Sequence, residues 1–418
     1  MRYYKLCLFF YGFGVMQMTG WVRRTSTETA KKVEYRAAEE KGFKPLPEAV
    51  RVDGTVRSFV IHAKYAAGYN SAGKLSSVSG VQPATCRPGS AGSTSVSHNG
   101  QIALWREWGN QYCGSGLCDI AFIQLMLEIK SAVLGSVQVM SGCRSYSSVY
   151  QAAVGETGVT RVLLTSANAK YFVVGSSVSL GSTNDRAKAS TYDVCDIVKV
   201  LSVEDVVVDG TTYGAVNLDT ETPFNTTTET YIVAQPWRTG STDDVQGNDG
   251  SPTRNTSGKE PCKIQGIEVM VGAYEVPGDT TLYEDEETYT VYLNRKASEI
   301  ASNNSGTNPV TIGTIPKETD TAWKYIAELN WDAGDQEAYM LTKEVGGTSS
   351  TGYRAGLYCH GAATTGWREC MAFGSLVYGG VGGFACANLD SSLASVYWNI
   401  AARACGTGGN RGVYTAAV

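Results

Sequence analysis

The sequence predicts an α+β protein. Three observations lead there. One stretch, Leu117 to Leu134, is apolar around most of a helical circumference. About eighty residues from 155 onward carry short runs with a two-residue apolar period. The tail from Gly346 is rich in glycine yet keeps Trp367, Phe373, Phe384, Trp398 and Ile400, which a linker would not need. The chain has 418 residues and a formal charge of −5, enough for two or three domains. That charge gives no electrostatic footprint for nucleic acid, and none is expected as a partner. Eleven cysteines, scattered and odd in number, read as mostly free, buried thiols.

Residues 1–54 read as an N-terminal arm. Arg2 and Lys5 precede an apolar run, Leu6 to Met16, shaped like a signal peptide but followed by no small-residue cleavage site. It suits a packing or anchoring segment; a secretion signal, or a start at Met16 or Met18, is the other reading. Thr25-Ser26-Thr27-Glu28 has the form of a capping box. A helix is therefore expected from there to about Lys41, closed by Gly42, with a narrow seam of Ala30, Val33 and Ala37. A strand is expected at Ser58–Lys64, then a Gly/Ser/Pro-rich loop to about residue 97. The helix Leu117–Leu134 follows, with a thin polar stripe of Gln124, Glu128 and Ser131.

In the β-rich module, 151–240, strands are expected at Val159–Thr165, Tyr171–Val174, Val178–Leu180, Ile197–Val203, Val206–Val208, Ala215–Leu218 and Tyr231–Ala234, with a turn at Asp209-Gly210. They suit a small barrel or sandwich. Ser241–Lys259 reads as a loop; Ile264–Tyr274 and Thr288–Leu293 resume strand character.

Catalytic signatures are sparse. His62, His98 and His360 stand far apart, and no nucleophile elbow, zincin, Walker or dinucleotide pattern occurs. Glu284 to Glu287 is an acidic run that could supply a glycosidase carboxylate pair, but on a turn it reads as solvated. Gln235-Pro236-Trp237 and Trp398-Asn399-Ile400 fall short of lectin calcium motifs by a carboxylate, so no metal and no cofactor is expected.

The tail contains Gly356-Leu357-Tyr358, Trp367-Arg368, Phe373-Gly374-Ser375-Leu376, the pairs Gly379-Gly380 and Gly382-Gly383, and a final strand Trp398-Asn399-Ile400-Ala401-Ala402-Arg403. Over about 346–412 this resembles the variable proteins of diversity-generating retroelements. These have a C-type-lectin-like fold related to formylglycine-generating enzymes. Ala401 stands where that family commonly has glycine, and the enzymes' catalytic cysteine arrangement is not evident. More loosely, 55–150 resembles phage tail structural proteins. The resemblance implies a lectin-like domain built from 55–150 and 241–418, with 151–240 inserted or adjacent. It implies a non-enzymatic receptor-binding or adhesin protein of a phage tail, assembled in the host cytoplasm, or alternatively one on the bacterial cell surface. Its partners would be a bacterial surface receptor, other tail proteins and further copies of itself, a trimer in the first place.

In that family, adenines of AAC-type codons are randomised. The resulting alphabet includes Tyr, Ser, Val, Asp, His and Cys, and excludes Lys, Glu, Gln, Met and Trp. The tail has no lysine and only six charged residues. On this basis His360, Ser375, Val377, Tyr378, Val381, Cys386, Asp390, Ser391, Ser395 and Tyr397 are the candidate ligand-contact residues. Trp367, Trp398, Asn399 and Arg403 are the candidate scaffold. A virion structural subunit and a virion-borne polysaccharide-degrading enzyme are the alternative functions.

Overall fold

The first and last parts of the chain meet in one antiparallel sheet, ordered Tyr4–Phe9, Gly12–Met18, Phe59–Ala66 and Arg403–Cys405. The structure, a computed structural model, describes residues 4–9, 12–27, 29–87, 96–244, 257–331, 333, 336–361, 364–405 and 410–412. Strands dominate it, in several separate sheets around two longer helices, α1 (His98–Arg106) and α2 (Leu117–Ser131).

The N-terminal arm is therefore not helical. Residues expected as a helix from Thr25 to Lys41 form a hairpin of Trp21–Ser26 with Lys31–Arg36, extended by Lys44–Pro45. Thr27 and Ala30 close its turn, the Ala30 N–H donating to the Thr27 hydroxyl at 3.1 Å. Glu28, the fourth residue of the expected capping box, lies outside the described residues. The physical reason is tertiary. Val33 and Tyr35, two apart, turn to the same side and pack on the core around α2, while the Arg23 guanidinium pairs across the hairpin with Glu34 at 2.8 Å. A helix would have buried only its narrow seam of two alanines and one valine.

α2 is the hub of the core. Ile120, Phe122, Ile123, Met126 and Leu127 pack against Ile264, Ile267, Met270, Phe373 and Phe384. Leu117 and Ala121 reach a second cluster with Leu282, Tyr289, Val291, Ile326 and Leu357. Its start is satisfied from two sides: Gly116 N–H donates to Asp119 at 2.8 Å and Leu117 N–H to Asp279 at 3.0 Å. Ala132 ends it in the left-handed region (φ 52°). The expected polar stripe is internal rather than solvated at Gln124 and Glu128, which are buried. The Gln124 amide donates to Glu128 at 2.9 Å, and the Tyr339 hydroxyl donates to the same carboxylate. α1 was not expected; its short, mixed sequence hides its buried residues Ile102 and Trp105.

The middle module is a six-stranded antiparallel sheet and not the closed barrel that was one expectation. Its order is Arg161–Leu164, Thr211–Leu218, Cys195–Val208, Ser177–Gly181, Tyr231–Gln235, Val149–Gln151; no ladder joins the two end strands, but just past the last of them Ala153 N–H donates to Leu163 O of the first at 2.8 Å. The two runs expected at 197–203 and 206–208 form one fourteen-residue strand. Asp209 and Gly210, both at positive φ, make its hairpin turn. Tyr171–Val174 is a turn after a single helical turn, Ser166–Ala169. One core, including Val162, Phe172, Val178, Val198 and Val216, holds the module together.

The C-terminal half supplies two more sheets. One has seven strands in the order Thr342–Val345, Lys324–Leu329, Gly356–Tyr358, Ala387–Asn388, Met371–Ala372, Tyr274–Glu275, Ile400–Ala401. The other has four: Val310–Pro316, Thr288–Leu293, Thr280–Glu284, Gly366–Arg368. All eleven cysteines are free, eight of them buried.

Candidate ligand-binding surface

The seven-stranded sheet presents two unlike faces. Gly356–Tyr358 runs parallel to Ala387–Asn388, which pairs antiparallel with Met371–Ala372. Side-chain alternation places Leu357, Ala387 and Ala372 on the face toward α2. Tyr358, Asn388 and Met371 take the other face.

On that outer face the aromatic rings gather. The Trp323 ring lies 5.2 Å from both Tyr358 and Tyr378, and Tyr378 lies 5.5 Å from Tyr274. Trp323, Tyr325, Tyr358 and Tyr378 are half-buried; Val377 at the rim is exposed. Gly356 makes the close approach possible. A Cβ there would stand 2.6 Å from Trp323 and 2.8 Å from Val381.

Beneath the rings runs a polar chain. The Asn388 amide donates to the Tyr274 hydroxyl at 3.2 Å, and the Asn399 amide to the Ser375 hydroxyl at 3.0 Å. The Tyr378 hydroxyl reaches Tyr274 and Asn399. Burial pushes the Tyr274 phenol well above its ordinary range and raises that of Tyr378, so both stay neutral. The segment bearing Val377 to Val381 is clamped from below. The Arg144 guanidinium donates to Gly379 O at 2.8 Å, Gly379 N–H donates to Arg144 O at 2.6 Å, and Tyr146 N–H donates to Leu376 O at 2.8 Å. A clamped surface loses little entropy on binding.

The structure divides the ten candidate contact residues. Val377, Tyr378 and Val381 belong to the aromatic surface. Tyr397 is 52% exposed and Ser395 half-buried, both in the segment that crosses from Asn388 to Ile400. His360 and Asp390 lie at a separate ionic cluster. There the buried Glu284 carboxylate accepts from Arg368 at 2.7 Å and pairs with Lys317 at 2.7 Å and His360 Nδ1 at 3.1 Å, and Arg368 also donates to Asp390 O at 3.2 Å. Ser375, Cys386 and Ser391 are a correction. They are 0%, 2% and 7% exposed and cannot touch a ligand from there. A small side chain can fill a core niche as readily as a surface, and the codon alphabet does not separate the two.

The scaffold candidates divide too. Arg403 is buried, its guanidinium meeting the Glu275 carboxylate through two contacts of 2.6 Å and the carbonyls of Ala63 and Glu268 at 3.0 and 2.6 Å. Asn399 is buried. Trp398 is half-buried at the junction with the middle module, beneath the Arg186 guanidinium at 4.9 Å. Trp367 is no core residue; it stands on the outer face of the four-stranded sheet. Sequence reasoning missed Trp323, Tyr325 and Glu275. The first two lie in and beside a strand outside the glycine-rich tail. Glu275 could have been sought as the carboxylate that a buried arginine requires.

Elsewhere, His62 lies between Asp119 at 2.7 Å and Glu48 at 3.6 Å, but all three are buried, so this is an internal network. In the acidic run, Glu284 is consumed by its ion pairs, and Asp285 accepts from the N–H groups of Glu287 and Thr288 at its own turn. Among the described residues no group of three or more His, Cys, Asp or Glu could hold a metal ion.

Glu369 supplies a pH handle. It is fully buried and accepts the His98 N–H at the start of α1 at 2.9 Å, and burial pushes its carboxyl up to about 8. A carboxyl raised in this way stabilises the fold fully below its unfolded value. That stability is lost as pH climbs through the folded value. Glu369→Gln is therefore expected to gain in melting temperature over the native chain as pH rises from about 5 to about 8. Paired melts across that range check it; a constant gap would show that Glu369 does not titrate there.

No protein-family model matches the chain, and no curated protein matches it in sequence.

Proposed function

We propose that the chain is a non-enzymatic receptor-binding protein of a phage tail. Its C-terminal region would carry a recognition surface of the kind that retroelements diversify, on a C-type-lectin-like scaffold. One observation carries the reading. Four half-buried aromatic rings, Trp323, Tyr325, Tyr358 and Tyr378, gather on a rigid sheet face with Val377 and Val381 at their edge. Rigid aromatics anchor interfaces at low entropic cost. The tail's restricted residue alphabet supports the same reading, now confined to His360, Val377, Tyr378, Val381, Asp390, Ser395 and Tyr397. Display on an oligomer, a trimer in the family it resembles, would raise avidity by roughly 10²–10⁴.

The encoding DNA tests this. A near-copy of the segment for the tail is expected beside the gene, differing where the copy has adenines. Across isolates, Val377, Tyr378, Val381, Asp390, Ser395 and Tyr397 are expected to vary while Trp398, Asn399 and Arg403 stay fixed. Uniform drift over the whole tail, with no such copy nearby, would defeat the proposal.

A further inference from the structure

The four-stranded sheet has one face in the core, formed by Leu282, Tyr289, Val291, Leu293 and Ile315. Its other face bears Trp367, Tyr283 and Tyr292 with the hydroxyls of Thr290, Thr311 and Thr314. The pairing sets these in two cross-strand rows. One row runs Trp367, Tyr283, Thr290, Thr314; the other pairs Tyr292 with Thr311. The Trp367 ring is flanked by Tyr283 at 5.1 Å, turned 73° to it, and by Tyr292 at 5.5 Å, turned 57°. An indole is thus walled on two sides by phenol rings that stand steeply to it. Tyr283 is 36% exposed, Thr311 and Thr314 are exposed, and Trp367, Tyr292 and Thr290 are half-buried.

No outward-facing position on these four strands is charged. The sheet's ionic residues, Glu284 and Arg368, turn inward and pair with each other. This charge pattern selects the occupant. A protein partner would find threonines, which are under-represented among binding hot spots. An acidic glycan or phosphate would find no cation. A neutral sugar chain fits both halves of the surface. The C–H face of a pyranose stacks on an indole, and its hydroxyls exchange hydrogen bonds with threonine and tyrosine hydroxyls, which both donate and accept. Cross-strand aromatic pairing alone would stabilise the sheet, but it would not require an uncharged hydroxyl field around it.

We propose that this face, centred on Trp367, is a binding site for neutral polysaccharide. It is separate from the aromatic surface around Tyr378 and stands or falls independently of it.

The test is native electrophoresis of the full chain in gels cast with and without hydroxyethyl cellulose, dextran or galactomannan. The native chain is expected to be retarded in at least one of these gels. Trp367→Ala is expected to lose that retardation. Thr311→Lys keeps all three rings and adds one charge at the margin; it is expected to melt as the native chain does and to be retarded less. Tyr378→Ala is expected to keep full retardation, which separates this site from the receptor surface. The proposal is overturned if the native chain runs unretarded in all three gels. It is also overturned if Trp367→Ala and Thr311→Lys are both retarded as strongly as the native chain.

Discussion

Arg403→Ala is expected to destabilise the protein by about 3–5 kcal/mol, the usual cost of removing one member of a buried ion pair. Arg403 and Glu275 are 4% and 2% exposed. Without the guanidinium, the Glu275 carboxylate stays in the interior with no counter-charge, and the carbonyls of Ala63 and Glu268 each lose a donor. The site joins three parts of the molecule. Arg403 lies in the N-terminal sheet, Glu275 in the seven-stranded sheet, and Glu268 in the hairpin of Cys262–Ile264 and Ile267–Val269 that packs on α2. The double change Arg403→Met with Glu275→Leu is expected to recover much of the loss, because it leaves no orphaned charge. Urea unfolding midpoints decide. If the alanine variant unfolds within about 1 kcal/mol of the native chain, the pair does not hold the scaffold.

The second large effect is expected in binding. On the proposed receptor-binding function, Trp323→Ala and Tyr378→Ala should each weaken attachment to host cells by about 2 kcal/mol or more, roughly thirtyfold in affinity. Tyr378→Ala should also lower stability by about 1 kcal/mol, because its hydroxyl joins the chain of Tyr274 and Asn399. Tyr397→Ala, at a side chain 52% exposed, should leave stability within about 0.5 kcal/mol. Binding of labelled protein to host cells, beside thermal melts, separates the two effects. Unchanged attachment in both Trp323→Ala and Tyr378→Ala would overturn the proposed recognition surface.

The buried helix was legible because Leu117–Ser131 carries apolar residues on nearly every side, and only a core accommodates that. The Asp209-Gly210 hairpin was legible because two successive positive φ angles demand such residues. The N-terminal hairpin was not. Between Thr25 and Lys41, Ala30, Val33 and Ala37 satisfy a helical period while Val33 and Tyr35 satisfy a strand period; the core around α2 decides between them. Trp367 misled for a similar reason. A tryptophan suggests core, and only the register against Tyr283 shows it facing outward. Half of the aromatic surface lay in the tail as Tyr358 and Tyr378. Trp323 and Tyr325 reach it through the pairing of Lys324–Leu329 with Gly356–Tyr358, a pairing that sequence periodicity does not specify.

The strand Arg403–Cys405 pairs with Phe59–Ala66, which in turn pairs with Gly12–Met18. On the ribosome, Phe59–Ala66 therefore waits with an open edge until residue 405, more than three hundred residues later, has been made. Contacts this distant in sequence close slowly, and an unpaired edge attracts other chains in the meantime. A chain cut short before Arg403 lacks the closing strand and is expected to be prone to proteolysis or aggregation. A frameshift or premature stop upstream of residue 403 would remove the strand that covers Phe59–Ala66, so such truncated chains are expected to be screened out by the sheet edge they leave open.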